Sequence, residues 1–218
     1  MVIHFANGTT LEPFDHPYNT TALNERAVEL AMVHGFVLAR EHDLYPTPAA
    51  EAGVLGRCLE VGNVLSHYED YIVLPPRRIV DRFEVAPGVE NIDVFDIEGT
   101  YDTIISISTI EHVGVDDGTG NPDGGWHASL HLRSLLAPGG RFFCTFPTGW
   151  NRRLDTFLTS GFVSRQSASE AYMVRDGNDW RESIRNRQQG FTPRPYGQTQ
   201  PWAEAVWIGE FAPLVTNP

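Results

Sequence analysis

Apolar and polar positions along this chain change period several times, and the changes outline its elements. After an irregular start with Gly8, Pro13 and Pro17, residues Leu23, Ala27, Leu30, Ala31 and Val33 recur at close to helical spacing. Asn19-Thr20-Thr21 can cap that helix, which is expected over about 22–40, with Gly35 weakening its far end and Pro46 and Pro48 breaking the chain beyond it. From residue 57 short apolar runs alternate with polar stretches. The expected strands are 57–62, 77–81, 91–96, the nearly continuous apolar run 101–108, and 141–146. A helix over about 126–136 follows the fourth strand and is stopped by Pro138-Gly139-Gly140. Beyond the fifth strand, a helix near 152–160 and extended segments at 171–175 and 205–211 are expected, the last two as an edge hairpin. Strands interleaved with helices predict an α/β fold: a doubly wound, mostly parallel sheet of about seven strands with helices on both faces.

The ends of these runs carry the chemistry. The first closes on Glu60-Val61-Gly62-Asn63 and the second on Asp81, about 20 residues beyond that turn. A strand, a glycine turn, a helix and a second strand ending in an acid form the unit that binds an adenosine ribose, the second acid taking the hydroxyls. A dinucleotide site wants three glycines, because backbone must approach the pyrophosphate, and this loop has one. An adenosine ligand lacking a diphosphate points to S-adenosylmethionine. Backbone amides after Gly62, with the side chains of Asn63 and Ser66, can hold a carboxylate. A third acid, Asp96, closes the third run; acids at three successive strand tips are hard to explain by packing, since buried unpaired carboxylates are costly.

Charge and composition narrow the partners. The 218 residues carry a net charge of −12, so polyanionic partners are repelled, and nucleic acid and anionic membrane are not expected as ligands. All 16 basic residues are arginine, which excludes a lysine nucleophile or Schiff base. Cys58 and Cys144 each sit inside an apolar run and read as reduced core residues. No apolar run approaches the ~20 residues of a membrane span, and no secretory signal is visible, so a cytoplasmic protein is expected. One domain over 1–218 is expected, with 1–50 an N-terminal helical segment or lid, 55–150 the cofactor-binding core, and 151–218 the substrate-side elements.

Glu111 and His112 follow the fourth strand, where ligands of open α/β sheets bind, and His is the natural base near neutral pH. A structural histidine is the alternative. His127, opening the next helix, is a second candidate base, and His131 one turn on reads as structural. The loop between them is acidic and glycine-rich; its Asp116, Asp117 and Asp123 can bind Mg²⁺, or can simply be the residues an exposed turn uses. Of the five tryptophans, one or two are expected to line a pocket. Tyr18, Asn24, Glu25 and Arg26 form a polar cluster expected to fold over the ligand as a lid, Arg26 reaching a carboxylate or substrate oxygen. An exposed surface helix is the alternative.

Over about residues 55–150 these segments resemble the class I S-adenosylmethionine-dependent methyltransferases, whose fold is Rossmann-like. The resemblance rests on Glu60-Val61-Gly62, Asp81, Asp96, the stretch from Tyr101-Asp102 to Ser108-Thr109-Ile110-Glu111-His112-Val113, and Leu135-Leu136-Ala137-Pro138-Gly139-Gly140. It implies that Glu60, Gly62, Asn63, Ser66, Asp81, Asp96, Ile97 and Ser108 bind the cofactor, Asp96 at the adenine amine. One departure is that Asn63-Val64-Leu65-Ser66 follows Gly62 where the family has a run of glycines. Residues 18–29 and 63–68 also resemble a narrower group of small bacterial methyltransferases associated with carbohydrate O-methylation. That likeness implies a small carbohydrate acceptor, down to the 1-hydroxyl of a methylated mannoside, with His112 or His127 as base and Glu111 orienting it. It also raises a homodimer. A small non-sugar acceptor, or a non-catalytic adenosyl-binding subunit, is the other reading.

Overall fold

The structure is a computed structural model that describes residues 1–16, 24–38, 56–70, 72, 74–184, 190–197 and 201–214. The expected cap at Asn19–Thr21, Tyr18 and the break at Pro46 and Pro48 lie outside the described residues. In chain order the elements are β1 (Ile3–His4), β2 (Thr10–Leu11), α1 (Glu25–Leu38), β3 (Cys58–Val61), β4 (Arg77–Val80), β5 (Val89–Glu90), β6 (Tyr101–Ile107), α2 (Gly124–Ser134), β7 (Leu136–Pro147), α3 (Arg152–Thr159), α4 (Phe162–Gln166), β8 (Ser169–Asp176), β9 (Asp179–Glu182) and β10 (Ala205–Phe211). Among the described residues the strands form one ten-stranded sheet, ordered β2-β1-β9-β8-β10-β7-β6-β3-β4-β5. Its centre, β5-β4-β3-β6-β7, is parallel, and β10 runs antiparallel between β7 and β8. The fold is α/β, with a large mixed sheet and helices on both faces.

Alternation along the central strands divides the core into two layers. Leu59, Ile104 and Phe142 face the layer filled by α2, α3 and α4. Their neighbours Cys58, Ile105 and Phe143 face the layer of α1 and the short 3₁₀ turn Leu65–Tyr68. In α1, Val28, Leu30, Met32 and Val33 are all buried, each such side chain contributing ~1.5–3 kcal/mol. The helix is therefore an integral cover of the sheet over its described length, and only its first turn, with Arg26, reaches the site. Cys58 and Cys144 are buried free thiols, and burial pushes the Cys58 thiol up to about 12.

Four expectations need correction. The third strand is not 91–96: β5 is only Val89–Glu90, and 94–96 turn as a 3₁₀ helix capped by the Asp93 side chain. Asp93 accepts the Phe95 amide at 3.0 Å, the local bond that makes aspartate a turn former. The sheet has ten strands rather than about seven, because β9 and the two-residue strands β1 and β2 extend one edge. β10 lies inside the sheet rather than in an edge hairpin; Val206, Trp207 and Ile208 are all buried, as in strands covered on both faces. Lastly, Pro138-Gly139-Gly140 does not simply end a helix. β7 already begins at Leu136, paired with Tyr101, and 137–140 form an irregularity before Arg141 pairs with Thr103.

Candidate functional site

The chain lays down β3, β4 and β5 in one direction, then returns to place β6 on the other side of β3. The sheet order reverses between β3 and β6, and ligands of open α/β sheets bind at that point, beyond the carboxyl ends of the strands. A cavity of about 610 Å³ opens there, a volume suited to a nucleoside-sized ligand. Its apolar surface includes Val61, Val80, Ile92, Val94 and Val113.

One wall follows from the first glycine turn. Gly62 has φ +86°, and a Cβ there would overlap the Thr109 side chain, so two strand ends meet at a distance only glycine permits. Glu60, 1% exposed, shapes the loop from behind. It accepts the amides of Val64 (2.9 Å) and Leu65 (2.6 Å), and Arg77 Nε donates to it at 2.5 Å. Burial pushes its carboxyl above the usual range, against the pull of Arg77. Asp81 stands at the end of β4 and accepts three backbone amides, from Phe83 (2.8 Å), Glu84 (2.7 Å) and Asn63 (3.3 Å). The Asn63 side chain donates to Glu84 at 2.7 Å, and Ser66 Oγ donates back to Asn63 Oδ1. Arg82 bridges the rim, 3.0 Å from Asp93 and 3.4 Å from Asp117.

The opposite wall is assembled from distant segments. Ser108, at the end of β6, has φ +43°, the one non-glycine positive φ among the described residues and a strained conformation for a residue with a side chain. Its hydroxyl donates to Glu29 Oε1 at 2.5 Å, and Thr145 donates to the same oxygen at 2.6 Å. Glu29 Oε2 lies 3.2 Å from Arg26 Nη1, which faces the cavity. Behind the 110–112 turn, Glu111 is fully buried, and among the described residues neither carboxyl oxygen has a hydrogen-bond partner. Burial raises its pKa well above the ordinary carboxylate value, with the nearby Glu29 adding to the shift. His112 is half exposed on the cavity surface, with Nδ1 2.5 Å from Asp116 Oδ2. Gly124 and Gly125 let α2 start against this turn, since Cβ atoms there would overlap the carbonyls of Val113 and Ile110.

Of the residues expected from sequence, Gly62, Asn63, Asp81, Ser108, His112, Asp116 and Asp117 line the cavity. Glu60 and Ser66 support the loop from outside it. Asp96 is exposed and lies off the cavity, and Asp93 takes the place expected for it, because the third strand stops short and turns. Ile97 is buried, and its carbonyl is met by His131 at 3.0 Å. His127 is exposed on α2 and does not line the cavity. The three loop aspartates do not converge. Asp116 is taken by His112, Asp117 accepts Gly114 and Thr119 amides, and Asp123 pairs with Arg153 at 2.5 Å. Among the described residues no group of three His, Cys, Asp or Glu is placed to hold a metal ion, and Mg²⁺ binding by this loop is not supported. Sequence reasoning missed Arg82, Glu84, Asp93 and Glu29. The first two flank Asp81 closely enough to have been found; Glu29 gives a local signal only in Arg26, and the hydroxyls that meet it come from Ser108 and Thr145, far along the chain.

No family model matches the chain, and no curated protein matches it in sequence. Several solved structures share the course of its backbone. Human methyltransferase-like protein 13 in complex with SAH has a TM-score of 0.45 and 12% identity, over 88% of this chain and 85% of that one. The Synechocystis PCC 6803 magnesium protoporphyrin IX methyltransferase with bound SAM has 0.38 and 11%, over 72% and 70%. The plantazolicin methyltransferase BpumL in complex with SAH has 0.41 and 10%, over 73% and 77%. These scores lie below 0.5, so the fold rests on the sheet order above and the chemistry on the side chains of the cleft. No helix among the described residues is long and apolar enough to cross a membrane.

Proposed function

We propose that the protein is an S-adenosylmethionine-dependent methyltransferase acting on a hydroxyl of a small carbohydrate. The observation that carries the reading is one cavity, at the point where the sheet order reverses, that joins a single-glycine loop and strand-end acids on one wall to a histidine on the other. The residues fit the group. Asp81 and Glu84 are carboxylates suited to ribose hydroxyls, Asp93 is an acceptor for an adenine amine, and Val80, Ile92 and Val94 offer an apolar slot for the base. Arg26, on the same cavity, suits the carboxylate of the methionine end, the amides of residues 63–65 being already taken by Asp81 and Glu60. When bound, S-adenosylmethionine supplies an electrophilic methyl group on a sulfonium centre.

The chain's own part is to bind, orient and deprotonate. A sugar hydroxyl is barely acidic, so its proton must leave as its oxygen attacks. Of the two histidines on the cavity, His67 sits on the Gly62 wall against Glu84, and His112 at the end of β6 is the one assigned to take it. The carbohydrate acceptor is supported by the resemblance of residues 18–29 and 63–68 and by the half-exposed Trp150 ring beside His112, a flat apolar face of the kind sugars stack on. Isothermal titration calorimetry tests the core of the proposal. S-adenosylhomocysteine is expected to bind and NAD to be ignored; NAD binding without S-adenosylhomocysteine would overturn it. Turnover across a panel of sugars and small non-sugar alcohols tests the acceptor class.

A further inference from the structure

His112 does not stand alone on its wall. Its Nδ1 is 2.5 Å from Asp116 Oδ2, and that same oxygen accepts the indole N–H of Trp150 at 2.9 Å. The Trp150 ring packs edge-on against His112, with centroids 5.3 Å apart, and against Tyr196 at 5.0 Å. The next residue, Asn151, caps α3 and donates to the Glu111 carbonyl at 2.9 Å. Three segments therefore converge on one imidazole: the 110–112 turn, the loop that follows it, and the start of α3.

The hydrogen-bond chemistry fixes the order of donors. An indole nitrogen only donates, so Asp116 Oδ2 acts as an acceptor, and a carboxylate oxygen accepting from both sides places the second hydrogen on His112 Nδ1. The lone pair then belongs to Nε2. That nitrogen lies 3.6 Å from Glu111 Oε1, too far for a hydrogen bond that would claim the lone pair. The charged and titratable groups around the imidazole are Glu111 on its own turn, Asp116 and Asp117 in the following loop, Arg26 of α1 on the same cavity, and Tyr196 behind Trp150.

We propose that Asp116, anchored by the Trp150 indole, is a positioning residue that holds His112 as the Nδ1–H tautomer and leaves Nε2 to receive the acceptor's proton. The inference rests on the methyltransferase reading for its reaction, though not for the tautomer. In the step it serves, the acceptor O–H bond breaks, the proton passes to Nε2, and the oxygen keeps the electron pair with which it takes the methyl group. Asp116 stabilises the imidazolium so formed and is not itself protonated. Trp150 keeps the carboxylate on Nδ1, where an untethered side chain in a glycine-rich loop would turn to water.

Long-range ¹H–¹⁵N spectra of the whole chain with labelled histidine read the tautomer directly, without any acceptor. The neutral His112 ring is expected to show a protonated Nδ1 and a bare Nε2 at about pH 8. Asp116→Ala should shift it toward Nε2–H, because no carboxylate then holds the hydrogen on Nδ1. Trp150→Phe, which keeps the ring and removes only the N–H, should give a mixture of tautomers. With an active sugar from the panel, Asp116→Ala should lower kcat ~10²-fold or more, with KM for the cofactor and calorimetric affinity for S-adenosylhomocysteine unchanged within about twofold. An Nε2–H ring in the wild type, or a tautomer indifferent to Asp116→Ala, overturns the proposal. If S-adenosylhomocysteine fails to bind wild type while the tautomers behave as stated, the methyltransferase reading falls and the positioning role stands. If it binds and the tautomers do not, only the positioning role falls.

Discussion

The two walls of the cleft are built on different principles. On the Gly62 wall three carboxylates are answered by backbone amides: Asp81 accepts amides of its own loop and of Asn63, Asp93 caps its own turn, and Glu60 accepts amides four and five residues on. On the His112 wall Asp116 and Asp117 are also met locally, but the two buried carboxylates, Glu29 and Glu111, depend on distant side chains or on none. Glu29 takes hydroxyls from β6 and β7, and among the described residues both oxygens of Glu111 are left unpaired in the interior. The first arrangement holds a ligand at little electrostatic cost, because amide bonds compensate the buried charge. The second stores desolvation cost beside His112, a pattern common where groups have chemistry to perform.

If the comparison is right, substitutions on the two walls should fail in different ways. The largest effect is expected from His112→Ala, which should lower turnover ~10²–10⁴-fold and leave S-adenosylhomocysteine affinity nearly intact. Measured by methyl transfer and calorimetry together, full activity in this variant would strip the wall of its chemical role. Asp81→Ala should do the reverse. A charge-assisted ligand bond is worth about 1.5–3 kcal/mol, so affinity should weaken ~10- to 150-fold, with turnover at saturating cofactor largely kept. An equal loss in binding and rate would show that the walls are one cooperative unit.

A smaller effect distinguishes them by pH. Burial holds the Glu111 carboxyl well above its ordinary 4.5, so the fold favours the protonated form. The stability it contributes is intact below the unfolded value and is lost as pH rises through the folded one. Glu111→Gln removes that titration, so its urea midpoint should gain on wild type progressively as pH rises above about 5. A difference independent of pH would mean that Glu111 is ionised in the folded protein and answered by a group not identified above.

What the sequence by itself determined was whatever depends on near neighbours. The alternation of apolar runs gave the parallel centre, β3, β4, β6 and β7, because strands covered on both faces must be apolar. Gly62, Asn63 and Asp81 were legible because strand, tight turn and strand-end acid recur at a fixed spacing set by the length of one crossover. Where local turn chemistry competes with strand pattern the reading slipped: Asn91 to Asp96 looks like a strand ending in an acid, yet the Asp93 side chain closes a turn within it. Two-residue strands such as β1 and β2 are too short to show a period at all. The tertiary structure alone decided the His112 wall. It brought Glu29 to Ser108 and Thr145 and set Trp150 on Asp116, contacts spanning 79, 116 and 34 residues of chain. It also set β10 between β7 and β8 and left Asp123 to Arg153 rather than to a metal. Hydrogen bonds at such separations leave no periodic trace in a sequence, because they depend on where the sheet order reverses and on which helix covers which face.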